Sequence, residues 1–307
     1  MYGYDLQHTH FNPNEHILSP SNVSQLVLYW TASTGSVIRS SPAVANNVVY
    51  VGSNDHQLYA FNATSGQTLW TASIGSGGES SPAVANNVVY IGSDKLYAFN
   101  ATTGQPLWTA SFGNGTRSSS PAVANDVVYI GSVDHRLYAF NATTGQPLWT
   151  ASTGDVISSS PAVVNNVVYI GSYDHRLYAF NATTGQTLWT ASTGNQVASS
   201  PAVANNIVYV GSVDSKLYAF NAAAGRTLWT ASTGNGISSS PVVANGVVYI
   251  GSFDHQLYAF NATSGQTLWT ASTGNAIIPS PTVANGVVYV GSEDSRLYAF
   301  HLPGTAP

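Results

Sequence analysis

Residues Leu177 to Ser192 read LYAFNATTGQTLWTAS, and near copies begin at Leu58, Leu96, Leu137, Leu217 and Leu257. A remnant, LVLYWTAS at Leu26 to Ser33, stands ahead of the first full copy. Working outward, tryptophan recurs at Trp30, Trp70, Trp108, Trp149, Trp189, Trp229 and Trp269, and SPAV or a close variant starts at Ser41, Ser81, Ser120, Ser160, Ser200, Ser240 and Ser280. The period is about 40 residues, the mark of a repeat architecture in which each unit covers its neighbour's apolar face.

Each repeat reads as four short strands. Strand A is SSPAVA, and the Asn-Asn, Asn-Asp or Asn-Gly that follows tolerates the positive φ of a two-residue hairpin. Strand B is VVYVGS or VVYIGS, rich in β-branched and aromatic residues. Strand C is LYAFNA, and strand D, after a Thr-Gly or Ser-Gly turn, is TLWTAS. No segment has helical spacing. The expected fold is all-β: a seven-bladed β-propeller of four-stranded antiparallel blades. The chain opens on a D-type strand and ends on a C-type one, so the N-terminal strand is expected to complete the last blade and close the ring. Residues 1–25 form an N-terminal strap, 26–302 a single propeller domain and 303–307 a tail.

Composition narrows the function. Charged residues are 7% of the chain and the formal net charge is -5, so the basic footprint of a nucleic-acid binder is missing. There is no cysteine, hence no disulfide and no thiolate metal site. No apolar run reaches the ~20 residues of a membrane span, and no signal peptide is read in the chain.

The spacing Ala60, Asn62, Gly66, Trp70, repeated as Ala139, Asn141, Gly145, Trp149, resembles the tryptophan-docking motif of PQQ-like propeller repeats. That family includes quinoprotein alcohol dehydrogenases and an outer-membrane assembly lipoprotein. The resemblance implies that all seven tryptophans, Trp30 through Trp269, join neighbouring blades. It also implies an exported or cell-surface bacterial protein. The motif's usual Asp is Asn here. The family's dehydrogenases carry eight blades, a vicinal cysteine pair, acidic and Asn ligands for Ca²⁺ and a catalytic Asp, and this chain has no counterpart for that set. The resemblance therefore implies a member with no cofactor, no metal and no catalytic residues.

The A–B and C–D turns hardly change between repeats, whereas the D–A and B–C connections vary. The D–A connections place Arg39, Glu79, Arg117 and Asp155 in the first four blades and Gln196, Ile237, Ile277 and Ile278 in the last three. A channel mouth polar on one side and apolar on the other is expected from them. The B–C connections carry Asp-His pairs, read as turn caps rather than metal ligands, and before them stand Tyr173 and Phe253, candidate stacking surfaces. The candidate ligand site is thus Arg39, Glu79, Arg117, Asp155, Tyr173 and Phe253. The leading expectation is a monomeric, non-enzymatic scaffold for an unidentified protein, peptide or carbohydrate. The alternatives are a quinoprotein oxidoreductase, or a recently amplified or symmetrised ring with no evolved ligand.

Overall fold

A computed structural model describes residues 30–77, 79–284, 287–294 and 296–300. Among the described residues seven antiparallel sheets follow one another along the chain, six of four strands in A-B-C-D order and the last of three in A-B-C order. The fold class is all-β, a seven-bladed β-propeller. In the first sheet the strands are Ala43–Ala45, Val48–Ser53, Gln57–Asn62 and Thr68–Ser73. The last sheet has Thr282–Ala284, Val287–Ser292 and Arg296–Phe300. Ring closure by Leu26 to Ser33 rests on residues 26–29, which lie outside the described residues, as do the strap at 1–25 and the tail at 303–307.

Local chemistry explains the hairpins. Asn46 and Asn47 take φ values of 49° and 61°, so both central residues of the A–B turn are left-handed, as a type I′ hairpin requires. Strand A is shorter than its sequence suggested. Only Ala43–Ala45 pairs with strand B, because Pro42 has no N–H to continue the ladder. Between strands C and D the register slips at Ala60/Phe61, leaving Leu69 as the extra residue of a bulge. The same slip recurs at Ala98/Phe99, Ala139/Phe140, Ala219/Phe220 and Ala259/Phe260. It accounts for the row of exposed leucines, Leu69, Leu107, Leu148, Leu228 and Leu268, on the outer strands.

Two compact units divide the described residues. One takes the chain up to Asp174 together with Tyr178–Leu188, and the other takes His175–Leu177 and the chain from Trp189 onward. In both, the core lies between successive sheets. Tyr50, Leu58, Ala60 and Ile74 of the first sheet and its outgoing loop pack on Val89, Ile91 and Phe99 of the second. Tyr209, Leu217 and Ile237 meet Val248, Ile250 and Phe260 in the second unit. Strands B and C are buried on both faces, and for that reason their sequences do not alternate. In the last sheet Leu297 is 76% exposed, whereas its equivalents Leu58, Leu96, Leu137, Leu217 and Leu257 are fully buried.

Candidate functional site

The joints between sheets set the positions of the loops. The indole of Trp70 donates to the carbonyl of Ala101 in the next sheet at 3.1 Å, and the hydroxyl of Tyr50 donates to the same oxygen at 3.0 Å. Two donors thereby use both lone pairs of one carbonyl. The pairing repeats as Trp108 and Tyr90 on Ala142, Trp149 and Tyr129 on Ala182, and Trp229 and Tyr209 on Ala262. Trp30 donates to Ala63 and Trp189 to Ala222. Each indole lies on a left-handed glycine of the neighbouring sheet. A Cβ on Gly185, where φ is 71°, would come within 2.5 Å of Trp149 Cε3. Trp269 instead meets Phe300 edge-on, with ring centroids 5.1 Å apart.

The innermost strands carry a second joint, made of serine. The Ser41 N–H donates to Ser81 Oγ at 2.9 Å, Ser81 to Ser120 at 3.0 Å and Ser120 to Ser160 at 3.0 Å. In the other unit Ser200 donates to Ser240 and Ser240 to Ser280. The preceding serine works within its own sheet, where Ser40 Oγ accepts the Gly52 N–H at 2.9 Å. The repeated serines are thus used as hydrogen-bonding joints.

The variable connections meet at one end of each sheet. The incoming D–A loop and the B–C turn are tied by a main-chain hydrogen bond: Asn54 N to Val37 O, Val133 to Gly115, Tyr173 to Val156, Val213 to Gln196, Phe253 to Gly236 and Glu293 to Ala276. A carboxylate clamp reinforces it. Asp55 Oδ2 accepts the Gly35 N–H and the Tyr59 hydroxyl, both at 2.6 Å. Asp214 and Asp254 hold Gly194 with Tyr218 and Gly234 with Tyr258 in the same way, and Asp174 holds Gly154 with Tyr178. Burial alone would raise the Asp55 pKa, but bonds from Tyr59, Ser53, Gly35 and Gln57 outweigh it and hold the carboxyl below its ordinary value. The hydrogen bond from Tyr298 comes first in lowering Asp294. Burial, then the paired Asp254, pushes Tyr258 up to about 12, and burial with Asp214 does the same to Tyr218. Each Asp therefore fastens two loops together, while the following His or Ser takes the left-handed position of the turn, as His56 does with φ 68°. Among the described residues no group of three or more His, Cys, Asp or Glu converges on a metal position.

Of the six candidate ligand residues, two come together: Arg39 Nη1 lies 2.8 Å from Glu79 Oε1 across neighbouring sheets. Arg117 is exposed and has no partner among the described residues. Asp155 accepts the Val156 N–H at 2.7 Å and lies 3.6 Å from His135 Nε2. Tyr173 and Phe253 are half-buried, and their N–H groups bond the incoming loops at Val156 and Gly236. The apolar half of the expected mouth is corrected. Ile237 and Ile277 are fully buried, with their Cγ2 atoms against Gly211 and Gly251, because the glycine in strand B leaves a socket for the incoming loop. Ile157 fills the same socket at Gly131, and Ile278 alone of the predicted isoleucines is exposed. The VVYIG pattern carried the signal for this socket: a glycine inside a strand marks close approach by another segment.

Successive antiparallel sheets, six of whose seven indoles lie on glycines among the described residues, define a β-propeller of the PQQ-like repeat class. Residues 86–305 match the family described as "Beta-alanine-activating enzyme, beta-propeller", and the chain belongs to that family. Residues 1–77 match the "Glucose/ethanol/alcohol dehydrogenase, beta-propeller domain" family. Among solved structures, BamB from Moraxella catarrhalis superposes with a TM-score of 0.76 at 25% identity, over 88% of this chain and 84% of that one. The computationally designed Ika8 protein gives 0.66 at 18% identity, over 88% and 99%, a likeness of fold. No curated protein matches the chain.

Proposed function

We propose that the chain is a non-enzymatic binding module, a protein-interaction scaffold whose contact surface is the end of the sheets where the D–A and B–C connections meet. The observation that carries this reading is the set of main-chain bonds between those connections, Asn54 to Val37 through Glu293 to Ala276. They hold each loop through its main chain, so side chains outside the Asp clamp and the isoleucine socket are free to serve a ligand. Within the first unit Arg39, Glu79, Arg117, Asp155 and Tyr173 are the residues proposed to contact a ligand, and within the second Phe253 is the residue proposed for that role. The likeness to BamB supports an interaction role, and an exported or cell-surface location is the compartment the family resemblance favours. The test is to probe peptide and glycan arrays with the purified chain and with an Arg39→Ala, Arg117→Ala, Asp155→Ala variant. Loss of a specific signal with unchanged thermal stability is expected; identical binding by both proteins would sink the assignment.

The dehydrogenase-family match over residues 1–77 favours one second reading, a quinoprotein oxidoreductase. Adding PQQ and Ca²⁺ tests it directly. A rise in melting temperature with dye-linked alcohol oxidation would replace the scaffold reading.

A further inference from the structure

The second sheet breaks the rule that the others keep. Its B–C turn is Ser93-Asp94-Lys95, two residues shorter than Ser132 to Arg136 in the third sheet. The missing residues include the one whose N–H would bond the incoming loop. As a result the Gly77 carbonyl, equivalent to those of Val37, Gly115, Val156, Gln196, Gly236 and Ala276, has no hydrogen-bond donor among the described residues. A second orphan acceptor lies beside it. Asn54 Oδ1 is buried without a partner and sits 3.5 Å from where a Cβ on Gly77 would be. Gly77 is half-buried, and the buried Asn54 Oδ1 costs free energy while it has no donor.

The charges around the gap are uneven. Ser93 joins its two sides: its Oγ donates to Ser76 O at 2.6 Å, and its carbonyl accepts the Thr116 N–H at 2.9 Å. Gly77 and Arg117 are thus each one residue from an atom bonded to Ser93. On the Gly77 side Glu79 is neutralised by Arg39. Asp94 is occupied by the Tyr97 hydroxyl at 2.9 Å. Arg117 has no carboxylate partner, in a protein whose net charge is -5.

We infer that this notch over the second sheet binds an acidic peptide segment, with a backbone N–H of the peptide donating to the Gly77 carbonyl and a Glu or Asp side chain pairing with Arg117. An acceptor without a donor calls for a ligand with N–H groups, which a free carboxylate or phosphate lacks, and the uncompensated guanidinium selects against a basic peptide. The inference rests on the scaffold reading above and assigns its partner class.

The experiment is calorimetric titration of the full chain with three probes: a blocked peptide of alternating Ser and Glu, its Ser-Lys counterpart, and glutarate. The acidic peptide should bind and the other two should not. Arg117→Glu should weaken it by roughly tenfold or more, the equivalent of one charge-assisted bond. Grafting Ser132 to Arg136 in place of Ser93 to Lys95 should do the same by closing the notch, and circular dichroism checks that both variants fold. Unchanged affinity in both variants, equal binding of glutarate, or no binding of the acidic peptide overturns the inference. If Tyr173→Ala or Phe253→Ala abolishes binding of an array ligand that Arg117→Glu keeps, the notch is wrong and the wider scaffold reading stands. If no loop variant changes any binding, both fall.

Discussion

The two ends of each sheet are held by different chemistry. At the A–B and C–D end the side chains make the turn: Asn62 Oδ1 accepts the N–H groups of Thr64 and Ser65, and Thr64 Oγ1 donates to Asn47 Oδ1. At the opposite end a main-chain bond and an Asp tie each loop to the turn, one isoleucine fills a socket in several sheets, and side chains such as Arg117 stay uncommitted. Where side chains build the turn, the sequence repeats. Where the backbone builds it, the sequence is free to differ, and that is where Arg39, Arg117, Tyr173 and Phe253 stand.

The comparison predicts that scaffold perturbations change stability without changing loop-face binding, and that loop-face perturbations do the reverse. The largest effect should be collective. Tyr90, Tyr97, Tyr129, Tyr209, Tyr218 and Tyr258 are pushed up to about 12, chiefly by burial, from 10.0. Their folded pKa exceeds the unfolded one, so their contribution is complete below pH 10 and is lost as pH rises toward about 12. Tyrosinate absorbance and circular dichroism should therefore change together in one alkaline transition. Stepwise ionisation with the fold intact would count against buried phenols as joints.

Next in size is Trp149→Ala, which removes the indole from Gly185 and the bond to Ala182, at a cost of about 3 kcal/mol in urea unfolding. Asp254→Asn weakens the clamp on Gly234 and Tyr258 and should cost about 1–2 kcal/mol by the same measurement. The smallest belongs to the loop face. Arg39→Ala breaks an exposed ion pair and should change stability by less than about 1 kcal/mol. A melting temperature that falls as far for Arg39→Ala as for Trp149→Ala would erase the distinction between the two ends.

Much of the fold was legible in the sequence. Asn-Asn and Asn-Gly announce left-handed turns, and VVY and LYAF announce strands buried on both faces, because φ preference and β-branching are properties of a few consecutive residues. SSPAVA reads as one continuous strand, but Pro42 stops the ladder before the serines. At the candidate site the loops were identified but not the direction of their side chains. Ile237 and Ile277 looked like lining residues and are core.

By itself, the sequence determined the seven-fold repeat, the strand order and which connections vary. Tertiary structure decided which atoms meet: Trp70 and Tyr50 on one Ala101 carbonyl, Ser41 on Ser81, Arg39 with Glu79, and Gly77 left without a donor. The physical reason is the repeat itself. When every copy carries nearly the same residues, periodicity shows that a contact recurs one repeat away, but only packing of one sheet on the next selects its donor and acceptor.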